Sequence, residues 1–98
     1  MTSKYGWIIT TNHIEKMDIP VIGPSDISPE RTARLIVAAH KNHGQKFKMY
    51  DDDGNLYYSG RIIGDYDGFE PLDDYGTPNA GCTSIQLYNS TTNEWETL

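Results

Sequence analysis

The chain has 98 residues, a length suited to one small domain, and 37% of them are hydrophobic, with aromatic residues making up 11%. This aromatic content argues against a disordered chain, because each large ring buries much surface. A single cysteine, Cys82, excludes an internal disulfide, and no apolar run approaches the roughly 18 residues of a membrane helix, so we expect a soluble, cytoplasmic protein.

Charge is distributed unevenly along the chain, whose net charge is −6. Residues 1–50 carry seven Lys or Arg against four Asp or Glu, a balance of +3, whereas residues 51–98 carry one Arg against ten acids, a balance of −9. Because affinity for phosphates depends on basic groups, a chain of this charge is repelled by nucleic acid in general. The acidic half is suited instead to proteins that carry basic patches.

The first half of the chain predicts one strand and one helix. Residues 4–11 alternate in polarity and place Tyr5, Trp7 and Ile9 on one face of a strand. Residues 19–22, Ile-Pro-Val-Ile, are typical of either a short edge strand or an extended segment packed on the core.

Residues 28–43 predict the helix, with Ser28 as the N-cap and Gly44 as a left-handed residue just beyond the end. The helical period assigns one stripe to the core and the opposite stripe to solvent. The inward stripe is Thr32, Leu35, Ile36, Ala39 and His43, and the outward residues are Arg31, Arg34, Ala38 and Lys41.

Residues 46–63 predict a β-hairpin that turns at Asp53-Gly54, because two runs of aromatic and branched residues flank that dipeptide. Pairing about a two-residue turn sets Met49 opposite Tyr58 and Phe47 opposite Gly60. The apolar face then carries Phe47, Met49, Leu56, Tyr58 and Ile62, and the polar face carries Lys46, Lys48, Tyr50, Tyr57, Ser59 and Arg61. A slip of one residue would mix the two sets, so the pattern selects this register.

Residues 64–82 predict a long irregular loop, and residues 83–98 predict a second hairpin around Ile85, Leu87 and Trp95. The order strand, helix, hairpin, hairpin indicates an α+β fold in a single domain spanning 1–98. We expect a four- to five-stranded, mostly antiparallel sheet with one α-helix packed on its apolar face.

The loop 64–82 is the candidate binding surface, because structureless connections of this length are uncommon in compact domains and often functional. The residues that point to binding are Asp65, Tyr66, Asp67, Phe69, Glu70, Asp73, Asp74 and Tyr75. Aromatic rings among carboxylates suit a protein with a basic surface, since the rings supply contact area and the carboxylates pair with Arg or Lys. The alternative is a structural loop that packs Phe69 and Leu72 into the core and leaves its acids in water.

These features favour a non-enzymatic protein–protein interaction module, including an inhibitor or DNA mimic that occupies a basic groove. An exposed sheet edge would also allow a homodimer by strand addition. Two alternatives stay open: a small enzyme that uses Cys82 with a histidine as base, and a weak nucleic-acid contact through the basic helix 28–43 and the strand after it. The basic residues of that contact are Arg31, Arg34, Lys41, Lys46 and Lys48.

Residues 51–55, Asp-Asp-Asp-Gly-Asn, resemble part of a calcium loop, with Asp51, Asp53 and Asn55 as weak candidate ligands. The first and last ligand positions of such a loop would fall on Met49 and Gly60, which cannot serve. Three aspartates at a hairpin tip are explained more simply as a solvated cap that discourages edge pairing. We therefore expect no metal and no cofactor.

Overall fold

The computed structural model describes residues 4–18, 20–41 and 43–98, and one antiparallel sheet dominates them. Its strands are β1 (Tyr5–Asn12), β2 (Val21–Gly23), β3 (Gln45–Tyr50), β4 (Leu56–Gly64), β5 (Ser84–Asn89) and β6 (Glu94–Thr97), in the order β2-β1-β4-β3-β5-β6. Helix α1 (Pro29–Lys41), a π-helical turn (Leu72–Gly76) and the single-turn helix α2 (Thr77–Ala80) complete the fold. The α+β class is confirmed, but the sheet has six strands rather than four or five.

Strand β2 settles the choice that the sequence left open between an edge strand and an extended segment. It pairs with β1 at the sheet edge, placing Val21 opposite Ile9 and Gly23 opposite Trp7. The strand is only three residues long, and Pro20 precedes it, a residue that cannot donate to a ladder. Ile19, part of the predicted segment, lies outside the described residues.

Helix α1 begins after Ser28 as predicted, but it ends at Lys41, two residues before the predicted end at residue 43. The backbone N–H of Arg31 donates to Ser28 Oγ at 3.1 Å, which satisfies one of the unpaired amides of the first turn. Gly44 adopts φ +81° beyond the C-terminus, although Asn42, inside the predicted range, lies outside the described residues. Among the described residues, no helix is long and apolar enough to cross a membrane.

The predicted inward stripe of α1 is wrong in part. Leu35 is buried as predicted, Ala38 is buried although predicted outward, and Ile36 remains 44% exposed although predicted inward. The helix is rotated because it rests on the strand β1 at Gly6, whose missing side chain leaves room for Leu35 and Arg31. Of the other residues predicted inward, Thr32 and Ala39 are partly buried and His43 is exposed. Of those predicted outward, Arg34 and Lys41 are exposed, but Arg31 is partly buried.

The first hairpin keeps the predicted register, with Met49 opposite Tyr58 and Phe47 opposite Gly60. Its turn differs, because the register shifts between Met49 and Tyr50 and Tyr50 faces Leu56. The Asp51 carboxylate accepts the N–H groups of Asp53 and Asn55 at 2.9 and 2.8 Å, so residues 51–55 form a wider loop than a two-residue turn. The shift leaves Leu56 only partly buried, while the other predicted apolar positions, Phe47, Met49, Tyr58 and Ile62, are buried.

The main core lies on the sheet face opposite α1, which corrects the expectation that the helix covers the apolar face. Residues 65–82 cover this core instead, contributing Leu72 and Cys82. The sheet contributes Trp7, Ile9, Phe47, Met49, Tyr58, Ile62, Ile85 and Leu87. Helix α1 packs on the other face, against β1 and β4.

The segment predicted to be an irregular loop contains the π-helical turn and α2. The backbone N–H of Thr77 donates to Leu72 O, and the N–H of Gly81 donates to Thr77 O at 3.0 Å. Pro78 occupies the first turn of α2, where proline is tolerated because that turn has no internal N–H partner to lose. Proline and glycine spaced this closely mask two short helical turns in the sequence pattern.

Gly60 marks the closest approach of β1 to β4, beside the irregularity between Ile9 and Thr11. A Cβ at Gly60 would lie 1.9 Å from the carbonyl oxygen of Ile8. Because that oxygen belongs to the backbone of a paired strand, it cannot easily move away. We expect Gly60→Ala to lower the free energy of unfolding by about 3 kcal/mol or more, measured by urea denaturation.

Gly54→Ala is the matched control, since Gly54 has φ +81° but nothing within 4 Å of its Cβ position. That variant should lose only about 1 kcal/mol, the cost of a left-handed alanine. Equal losses in the two variants would contradict the close-approach account.

Candidate binding surface

Two side chains anchor the start of the covering segment. The Tyr66 hydroxyl donates to Gln45 Oε1 at 2.6 Å, and burial, followed by the nearby Glu70, raises the Tyr66 pKa. The Glu70 carboxylate accepts the backbone N–H groups of Asp67 and Gly68 at 2.8 and 2.7 Å. Two predicted binding residues, Tyr66 and Glu70, therefore hold the loop in shape.

Asp74 joins the π-helical turn to β1. Its Oδ2 accepts the Tyr5 hydroxyl at 2.7 Å and the Trp7 indole N–H at 3.0 Å. Burial and then the Asp74 carboxylate raise the Tyr5 pKa, which keeps the phenol protonated as a donor. Tyr75 packs next to it, with its ring centroid 5.6 Å from that of Trp7 and 5.2 Å from that of Tyr58.

The remaining predicted residues face solvent. Asp65, Asp67 and Asp73 are exposed, and Phe69 is 45% exposed at the start of the turn. The alternative of a purely structural loop therefore holds for Leu72, which is buried, but not for Phe69.

Leu98 is a further residue of this surface, which sequence reasoning missed. Its side chain lies against Gly68, the neighbour of Phe69, and is 44% exposed. No sequence pattern connects Leu98 with Gly68, because the two residues meet only when β6 folds beside β5. We call Asp65, Asp67, Phe69, Asp73 and Leu98 the Phe69 surface.

The hairpin tip 51–55 lies at the far end of β4 from Asp65, the first residue of this surface. It is at the start of β4 and residue 65 follows the end of that strand, so nine residues of strand, about 26 Å, separate them. Asp51 also accepts the Asn55 side-chain amide at 3.0 Å, and this bond and those from the backbone lower its pKa. Among the described residues, no three His, Cys, Asp or Glu side chains group as metal ligands, so the candidate ligands Asp51, Asp53 and Asn55 gain no partner there.

Cys82 is buried in the main core. Burial raises the pKa of its thiol to about 11, which opposes formation of a nucleophilic thiolate. His13 lies on the opposite sheet face, where its Nε2 is 2.8 Å from Ser59 Oγ, and His40 and His43 belong to the α1 side of that face. The structure therefore brings no histidine to Cys82 within the described residues.

The five basic residues of the nucleic-acid alternative do not form one patch on the helix. Arg31 packs against β1, and Arg34 and Lys41 are exposed on α1. Lys46 and Lys48 instead lie on the sheet beside Tyr88 and Trp95.

Comparison of the chain with protein-family models, curated proteins and solved structures finds no match.

Asp74→Asn tests the anchor. The amide keeps an acceptor but loses the charge that strengthens both hydrogen bonds, so we expect the free energy of unfolding to fall by about 1 kcal/mol in urea denaturation. Asp73→Asn, an exposed neighbour whose backbone N–H alone bonds to Phe69 O, should change stability by less than about 0.5 kcal/mol. Equal effects of the two substitutions would remove Asp74 from this role.

Cys82 should react slowly in the folded protein. Raising its pKa from 9.0 to about 11 lowers the thiolate fraction at pH 8 about 100-fold, and burial slows access further. We expect iodoacetamide labelling, followed by intact mass, to run at least about 100-fold faster in denaturing urea than in buffer. A native rate within tenfold of the unfolded rate would revive a reactive thiol.

The same raised pKa predicts a pH dependence of stability. The folded state favours the protonated thiol, so its contribution is complete below pH 9 and is lost as the pH rises toward 11. Cys82→Ala should therefore show a smaller loss of Tm than the wild type over that interval.

Proposed function

We propose that this protein is a non-enzymatic interaction module that binds a basic protein partner through the Phe69 surface. The observation that carries the proposal is Phe69 itself, 45% exposed on a segment whose neighbours are fixed to the sheet. An exposed aromatic ring flanked in sequence by exposed carboxylates has the composition of an interface centre with a charged rim.

The anchoring favours binding energetically. Tyr66, Glu70 and Asp74 each make hydrogen bonds within the protein. The backbone around Phe69 is therefore ordered before a partner binds. Preorganisation lowers the entropy cost of association. Phe69 then has the place of a central apolar anchor, with Leu98 against the preceding residue, Gly68.

The carboxylates supply orientation and specificity. Asp65, Asp67 and Asp73 surround the anchor in sequence, and their side chains are exposed. Charged groups at an interface rim accelerate encounter and reject partners of like charge, while the buried centre supplies most of the affinity. A partner with Arg or Lys around an apolar pocket fits this arrangement.

A narrower proposal is that the protein is an inhibitor or DNA mimic that occupies a basic groove of its partner. This would require a continuous row of carboxylates on this protein, long enough to follow the groove. The acids of the hairpin tip are separated from Asp65 by the length of β4, about 26 Å, so these two groups of carboxylates are not adjacent. An aromatic-anchored protein contact therefore describes the site better than a phosphate-like row. Competition between the partner's nucleic acid and this protein would distinguish the two versions.

Capture of partners from nuclease-treated lysate, followed by calorimetry with the recovered protein, tests the proposal. We expect Phe69→Ala, and separately Asp65→Asn with Asp67→Asn and Asp73→Asn, to weaken binding at least tenfold. The structure assigns none of these side chains an internal hydrogen bond among the described residues, so folding should be unaffected.

Matched controls separate the surface from general effects. Val37→Ala removes an apolar side chain that is 50% exposed on α1. Asp52→Asn, Asp53→Asn and Glu94→Gln together remove the same charge from exposed positions elsewhere. Losses in these controls as large as those in the surface variants would exclude the Phe69 surface as the contact.

A further inference from the structure

The sheet face opposite the main core is only half covered. Helix α1 packs over β1 and β4, at one side of this face. Over β3, β5 and β6 the face lies open, with Lys46 exposed and Lys48, Tyr88 and Trp95 partly exposed. A cleft of about 630 Å³ lies beside it, lined by residues that include Lys46, Arg61 and Tyr88.

Basic and aromatic side chains meet on this open face. The Lys48 ammonium lies 4.2 Å from the Trp95 ring centroid, and that of Lys46 lies 5.1 Å from the Tyr88 centroid. The two rings pack at 5.3 Å, because Tyr88 and Trp95 are opposite each other across β5 and β6. The strand pairing also sets Arg61 beside Lys46.

The fold separates the charges that the sequence sums. The acidic covering segment lies on the core side of the sheet, whereas the lysines project from the other side. Glu96 is the acid that lines the cleft. It is paired with Leu87, a residue that faces the core side of the sheet, and its carboxylate accepts a hydrogen bond from the Asn89 side chain at 2.7 Å. Since charges are screened over about 8 Å at physiological ionic strength, binding here depends on the nearby charges, Lys46, Lys48, Arg61 and Glu96, more than on the net charge of −6.

We propose that this open face, formed by Lys46, Lys48, Tyr88 and Trp95, binds single-stranded nucleic acid. Aromatic platforms that stack unpaired bases, beside basic groups that follow the phosphates, are the combination that such binding uses. Lysine is suited to this role because its ammonium, on a flexible four-carbon stem, can leave a ring face for a phosphate when a base takes its place. A duplex offers no unstacked base to the rings, so a single strand fits better.

This site is independent of the Phe69 surface, which lies on the opposite side of the sheet. It shares Lys46 and Lys48 with the sequence-based alternative, but it replaces the helix residues Arg31, Arg34 and Lys41 with the rings of Tyr88 and Trp95. The two can be separated because Arg34 and Lys41 are exposed on α1 and carry the same charge as the two lysines of the sheet.

Fluorescence anisotropy with labelled 12-nucleotide single-stranded RNA and DNA oligomers, titrated with the full chain at several salt concentrations, tests the proposal. We expect Lys46→Gln with Lys48→Gln to weaken binding at least tenfold and to reduce the slope of log K against log salt by about 1.4, the value for two phosphate contacts. Trp95→Ala should weaken binding roughly 5- to 150-fold at every salt concentration, with little change in that slope.

The matched control is Arg34→Gln with Lys41→Gln, which should leave affinity within about twofold. Phe69→Ala should bind the oligomers as the wild type does, so failure here and failure of the protein-binding proposal are distinguishable. A duplex of the same sequence should bind at least tenfold more weakly.

Three results would overturn the proposal. The first is no binding of the wild type to either oligomer, and the second is an equal loss in the α1 control. The third is displacement of the oligomer by a glutamate decapeptide as efficiently as by unlabelled oligomer, which would assign the face to an acidic protein segment. Circular dichroism shows whether each variant folds. If Trp95→Ala does not fold, the double variant Lys46→Gln with Lys48→Gln, which changes surface positions, decides the outcome.

Discussion

The apolar face of a single six-stranded sheet must be covered, and residues 65–82 rather than the helix perform this task. Leu72 and Cys82 fill the space over the sheet, and the Asp74 carboxylate connects the π-helical turn to Tyr5 and Trp7. Because this segment supplies part of the core, its backbone follows a defined path through two helical turns. The exposure of Phe69 follows from that path.

Covering the core in this way determines where the charges lie. The acids of the covering segment belong to the core side of the sheet, while Lys46 and Lys48 alternate with core residues of β3 and project from the other side. Helix α1 occupies only the β1 and β4 part of that other side. One sheet therefore has exposed acids and the exposed Phe69 ring on its core side, and Lys46 and Lys48 beside two aromatic rings on the other.

Local patterns predicted the elements whose residues contact one another within a hairpin or at a helix end. Met49 pairs with Tyr58 as predicted, since any slip would exchange the faces of the strand, and Ser28 caps the start of α1 because a cap depends on adjacent backbone. The stripe of α1 could not be predicted as well, because the gap at Gly6 that rotates the helix belongs to another element. The sequence also could not separate the structural residues of the candidate surface from the exposed ones. Composition selected Tyr66 and Asp74 together with Phe69, but the residues that Tyr66 and Asp74 bond to are distant in sequence.

The sequence by itself determined the α+β class, the first hairpin and the excess of acid in the second half, since these follow from alternation, turn chemistry and composition. Only the tertiary structure decided which face the helix covers, which acids are anchors and which face solvent, and that Lys46 and Lys48 meet Tyr88 and Trp95. The reason is that these depend on contacts between elements far apart in the chain, where burial and close approach select the partner. Local propensity carries no information about that choice.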